Sequence, residues 1–123
     1  MCPVVIASKT RYTGTVTPPA TGMETTVVDI APQADDYMVE GYIDLSQLTA
    51  GDSVLVRELV ALDGSSFRSF TSIVYTGPVD EPVVRFHTKT LPAQAGYRVT
   101  VTPLTGAPRT IPYAFILEVM GTL

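Results

Sequence analysis

Apolar and polar residues alternate at every second position along most of this chain. Between Tyr37 and Leu45, the residues Tyr37, Val39, Gly41, Ile43 and Leu45 fall on one side, and Met38, Glu40, Tyr42 and Asp44 on the other. Successive side chains of a strand point to opposite faces, so this period of two predicts a sheet with one buried and one wet face. The same alternation runs through Tyr97, Val99 and Val101, and through Ile111, Tyr113, Phe115, Leu117 and Val119. Thr25–Ile30, Phe67–Tyr75 and Val83–His87 complete the clear strands, separated by Pro- and Gly-bearing turns at roughly the 8–12 residue spacing of a sandwich or barrel. No segment carries an apolar period of 3.6; the stretch from Leu45 to Leu48 allows one helical turn at most.

Asp52–Leu62 breaks the pattern in an informative way. Val54, Val56, Val60 and Leu62 share a face, but Glu58 falls in the same register. A β-bulge near Arg57-Glu58 would restore the phase, with Glu58 paired to Arg57, Arg68 or a neighbouring subunit. Asp63-Gly64 follows as a hairpin turn. Pro112 removes a ladder donor from the last strand and belongs near a strand end or on an edge.

Residues 1–23 differ from the remainder. Pro3 to Ala7 reads as a short strand, Arg11 to Thr17 is Thr-rich and loosely alternating, and Pro18-Pro19-Ala20-Thr21-Gly22 interrupts both. Such a segment makes no core alone. It lies along the domain's own sheet, reaches a neighbouring subunit or is disordered, and the apolar Val4, Val5 and Ile6 disfavour disorder. The chain is therefore divided into an extended N-terminal arm, 1–23, and a β-sandwich domain, 24–123. The fold class is all-β: an antiparallel sandwich of about seven or eight strands, jelly-roll or immunoglobulin-like.

Composition narrows the functions. With 46% apolar and 16% charged residues, the 123-residue chain is too apolar for a disordered segment, and its length suits one core. The net charge is -4, and no two of the eight Lys and Arg residues are adjacent, which excludes a phosphate-tracking surface. No apolar run approaches the roughly 18 residues of a membrane helix, and Met1 to Ile6 lacks the features of a signal peptide. The expected site of synthesis is a cytoplasm, and neither nucleic acid nor membrane is expected as a partner.

Chemistry is sparse. Cys2 is the only cysteine and His87 the only histidine. No triad context surrounds His87, which reads as a solvated or hydrogen-bonded strand-end residue. Cys2 reads as an incidental thiol. Asp35-Asp36, with Asp80-Glu81 and Asp29, lacks the spacing of a calcium loop. Glu40 and Glu58 are the carboxylates that fall on strands, but a chain without tryptophan lacks the usual sugar-stacking platform, and Tyr42, Tyr75 and Tyr97 would have to replace it. Expected are no catalytic residues, no metal and no cofactor. What remains is surface: a weakly charged, Thr- and Val-rich small domain cannot hide all its apolar area, and such patches mark contacts with other proteins.

Ile43-Asp44-Leu45-Ser46-Gln47-Leu48-Thr49-Ala50-Gly51-Asp52, then Val54 to Glu58, Leu62-Asp63-Gly64, Thr76-Gly77, Lys89 to Pro92 and Gly96 to Val101 carry a resemblance. This part, residues 40–102, resembles the small β-sandwich virion proteins of tailed viruses of bacteria and archaea, including capsid decoration (cement) proteins. The resemblance implies a structural protein on the capsid surface, often a trimer, that binds the major capsid protein or other virion subunits, commonly through an N-terminal arm. It transfers no individual site residue. The residues read as partner-binding are Val4, Val5, Ile6, Arg11 and Tyr12 in the arm, with Arg57 and Glu58. The alternatives are a tail or head–tail connector subunit and a carbohydrate-binding module.

Overall fold

The computed structural model describes residues 3–122; Cys2 lies outside them. Eight strands form two four-stranded antiparallel sheets, with no helix among the described residues. They are β1 (Val4–Val16), β2 (Thr25–Ile30), β3 (Tyr37–Asp44), β4 (Ser53–Ala61), β5 (Arg68–Thr76), β6 (Val83–Leu91), β7 (Gly96–Thr105) and β8 (Ile111–Thr122). One sheet has the order β1-β8-β3-β6 and the other β2-β7-β4-β5. Every connection except the β4–β5 hairpin passes from one sheet to the other, which makes the sandwich a jelly roll.

The alternating rows predicted from the sequence face one another across the sandwich. Tyr37, Val39 and Ile43 on β3, Phe115 and Leu117 on β8, and Tyr97, Val99 and Val101 on β7 are all buried. Phe115 lies across Gly41, where an added Cβ would come within 2.1 Å of its ring. Glycine at 41 therefore makes room for an aromatic ring on the neighbouring strand. Tyr37 is fully buried and its hydroxyl donates to the Ala95 carbonyl at 2.6 Å; burial pushes its pKa up to about 12.

Residues 4–16 form one continuous strand along β8, not a short strand followed by a loose segment. Its inward row is weak: Tyr12 and Val16 pack against the core, while Thr10 stands beside Leu117 and Gly14 beside Tyr113. Other boundaries also move. The strand expected to end at His87 runs to Leu91, and the one expected to end at Val101 runs to Thr105. Pro112 is the second residue of β8 and lies opposite Thr15.

The turn between β3 and β4 is locked by Asp52. Its carboxylate accepts from the Thr49 N–H at 2.9 Å and from Arg109 Nε at 2.8 Å, and it also takes the Ala107 N–H. Arg109 and these N–H groups hold its pKa well below the usual carboxylate range. Gly106 closes the same junction at φ 78°, where a Cβ would strike the Asp52 carboxylate.

Gly41→Ala is expected to lower unfolding stability by about 2 kcal/mol, the usual scale of overpacking. Urea denaturation of the variant against wild type measures it, and an unchanged midpoint would show that Phe115 can move aside.

Candidate functional site

The two sheets close tightly along their middle and open along one side. That side carries β6, an edge of the first sheet, and β5, an edge of the second. Between them runs an apolar cleft. One part, with a volume of about 630 Å³, is lined by Val60, Leu62, Phe70 and Leu91 among others. A second, of about 410 Å³, is lined by Val56, Ile73, Tyr75, Val84 and Phe86 together with His87. His87 itself is exposed on β6.

A charged group sits inside this apolar setting. Glu58 on β4 is 8% exposed and faces the core. Lys89 on β6 reaches across the sandwich to its carboxylate at 2.8 Å, and Thr71 on β5 donates to it at 3.0 Å. The buried hydroxyl of Tyr97 donates to the same carboxylate. Burial, and then the Glu58 carboxylate beside it, push the Tyr97 pKa far above the ordinary phenol value, so it stays a neutral donor. The Lys89 ammonium also stands 5.1 Å from the centre of the Tyr97 ring. The charge pair thus ties the two sheets together where no strand bridges them.

The alternation of β4 continues unbroken through Glu58, so the bulge expected near Arg57-Glu58 is not needed to turn Glu58 away. The irregularity lies between Glu58 and Leu59 in the pairing with β5, where Phe70 is the extra residue. Beyond it the inward row shifts: Ala61 is buried, and Leu62, expected inside, is 73% exposed. Glu58 pairs with neither Arg57 nor Arg68. Arg57 lies on the outer face of the second sheet and meets Glu24 at 3.3 Å.

The remaining residues read as partner-binding divide between two environments. Val4 (67% exposed) and Ile6 (47% exposed) stand on the outer face of β1, with Met120 opposite Ile6. Arg11 is exposed, in register with Ile116 and, one strand further, Glu40. Val5 is half-buried, and Tyr12 packs on the core. Of the three tyrosines considered for stacking on a sugar, Tyr97 is buried and has no free face, Tyr75 packs partly against the core, and Tyr42 is exposed on the outer face of β3.

Asp36 and Asp35 serve the loop itself: Asp36 accepts the Ala93 N–H at 2.8 Å and Asp35 the Asp36 N–H at 2.7 Å. Among the described residues no three His, Cys, Asp or Glu side chains gather as metal ligands. The sequence reading missed Lys89 as the partner of Glu58, along with Thr71, Ile73 and Phe70 of the cleft. Only the unexplained apolar-face position of Glu58 pointed that way.

No protein-family model matches the chain, and no curated protein matches it. Solved structures do. A protein of Bacillus endospore appendages, described as a family of disulfide-linked pili, is 13% identical over 97% of this chain and 90% of its own, with a TM-score of 0.57. VP2 of an infectious bursal disease virus subviral particle is 9% identical over 91% of this chain but 32% of its own, with a TM-score of 0.51. A xylan-binding module is 12% identical over 97% of both chains, with a TM-score of 0.50. At these identities the likeness is one of fold: an antiparallel β-sandwich shared by assembling and ligand-binding proteins.

Lys89→Met is expected to cost about 3 kcal/mol of stability, because it leaves Glu58 buried and unpaired. The double variant Glu58→Met/Lys89→Met should recover most of the loss in the same denaturation experiment. A loss in the double variant equal to the sum of the losses in Lys89→Met and Glu58→Met would show that the pair carries no coupling.

Proposed function

We propose that this chain is a non-enzymatic structural protein of a virion: a capsid decoration protein that binds the shell of the major capsid protein and stabilises it. It would be made in the host cytoplasm and act on the capsid surface as a homo-oligomer. The observation that carries this reading is the set of exposed apolar side chains on the outer face of the β1-β8-β3-β6 sheet, interspersed with charges such as Lys9, Glu118 and Arg85. Val4 and Ile6 are exposed there beside Met120, and Tyr42 and Val83 are exposed towards the other edge. Exposed apolar side chains spread over a sheet face suit a broad protein contact better than a small substrate. Sequence resemblance to small virion proteins supports the same reading. Arg11, level with Ile116 and Glu40, supplies a charge at the middle of this face.

The test is co-sedimentation with capsid shells that lack the protein. Val4→Asp and Ile6→Asp should each weaken binding at least about tenfold, the scale of an apolar contact at an interface. Both side chains are exposed, so the melting temperature should barely change. Point variants are the right tool because deleting β1 would strip the whole edge of β8. Unaltered binding by both variants would count against this face, and no binding by wild type against the decoration role. Location on the tail in electron micrographs of virions would move the protein to a connector role.

A second reading, a carbohydrate-binding module, rests on Tyr42. It is 44% exposed and lines a shallow groove with Glu40, Gly41, Ala114 and Ile116. Its ring is free to stack on a sugar. Titration calorimetry with xylo-oligosaccharides should then show binding that Tyr42→Ala abolishes; no heat with the wild-type protein removes this reading.

A further inference from the structure

A two-sheet sandwich has four strand edges, and three of the four here carry features that discourage pairing with a second copy. If β1 paired antiparallel with itself about Thr10, its middle residue, Lys9 would lie opposite Arg11. Like charges directly opposite one another destabilise a strand pair. Strand β6 carries a bulge at His87-Thr88 that breaks its register, with Arg85 exposed just before it. Strand β2 is only six residues long and carries a bulge at Val27.

Strand β5 opposes no like charges, and its one bulge, at Phe70, lies outside the run from Thr71 to Thr76. From Ser69 to Thr76 it carries no charge and no proline. It pairs with β4 on one side, and its register with β4 is continuous from Thr71 to Thr76. Its side chains are also left uncovered. Ile73 lines the cleft opposite β6 yet is 52% exposed, and Val74 on the other face is 54% exposed.

We infer that β5 is a self-association edge: two copies of this chain pair antiparallel along β5, about a two-fold axis at Ile73, continuing the β2-β7-β4-β5 sheet from one copy into the other. In this register Ile73 meets Ile73 of the second copy, Thr71 meets Tyr75, and Ser72 meets Val74. These are β-branched and aromatic pairs of the kind that stabilise neighbouring strands. The uncharged run is what makes the second copy the occupant, since the strand meets its own sequence reversed and no charge opposes a like charge. The free N–H and C=O groups of both edges satisfy one another. The contact is isologous and closes on itself, so it makes a dimer and not a fibre. The inference deepens the assembly role proposed above and rests on that reading only for its purpose. The pairing takes place in solution without a shell, so failure of one leaves the other measurable.

The experiment is sedimentation velocity on the full chain over a concentration series. Wild type should show a dimer, and Ile73→Lys should weaken it about 100-fold or more by setting two ammonium groups against each other. Far-UV circular dichroism should be unchanged for this variant, since residue 73 is on the surface. Thr13→Lys on β1 should leave the dimer intact. Directly opposed residues of an antiparallel pair lie about 5 Å apart, within disulfide reach. Ile73→Cys in a Cys2→Ser background should therefore oxidise to a covalent dimer. A wild-type monomer at the highest concentration overturns the inference, as does any oligomer whose mass is indifferent to Ile73→Lys.

Discussion

Two packed sheets about 10 Å apart leave space for one layer of side chains, and everything else in this molecule follows from how that layer is filled. Tyr37, Tyr97, Phe115, Ile30 and Ile43 occupy it with almost no exposure. The layer is thin, so each bulky ring needs a small neighbour, and Phe115 over Gly41 is the clearest case. The two tyrosines bring hydroxyls into the layer, and each donates to a buried acceptor: Tyr37 to the Ala95 carbonyl and Tyr97 to Glu58. Their polar ends cost little because the hydrogen bonds are made.

The same layer runs out at the β5–β6 side. There the apolar filling gives way to a cleft, and the ion pair of Glu58 and Lys89 holds the sheets at a fixed spacing. A buried ion pair repays its desolvation poorly, so it is better understood as a positional device than as a source of stability. It keeps β5 and β6 in place while leaving their outer edges free. The opposite side carries the long edge strand β1, with Lys9 and Arg11 on it. The edges are therefore unlike: β1 and β6 carry basic residues, whereas β5 from Ser69 to Thr76 carries no charge.

The uncharged edge of β5 and the exposed apolar side chains on the outer face of β1-β8-β3-β6 are two separate surfaces on the domain. On the proposed reading, one would serve a second copy and the other the capsid shell. Solved structures that share its fold at 9–13% identity include a pilus protein and a viral particle protein.

Alternation of apolar and polar residues was enough to assign the all-β class, place β2, β3 and β8, and name most of the buried row, because a strand's two faces are written directly into its period of two. Thr25–Ile30 and the inward row from Ile111 to Val119 needed nothing more. Elsewhere local pattern was insufficient. β1 is polar on much of its inward row, so only its pairing with β8 shows it to be one strand. β6 extends to Leu91 because Lys89 turns inward after an irregularity in its pairing with β3, and no local rule predicts a lysine facing a core. Glu58 stood out as a misplaced charge, but its partner comes from the opposite sheet, 31 positions further along the chain. Strand order, the open β5–β6 side and the exposure of Ile73 arise from which strands become edges. That is decided by packing between segments far apart in sequence, and a single strand's pattern carries no record of it.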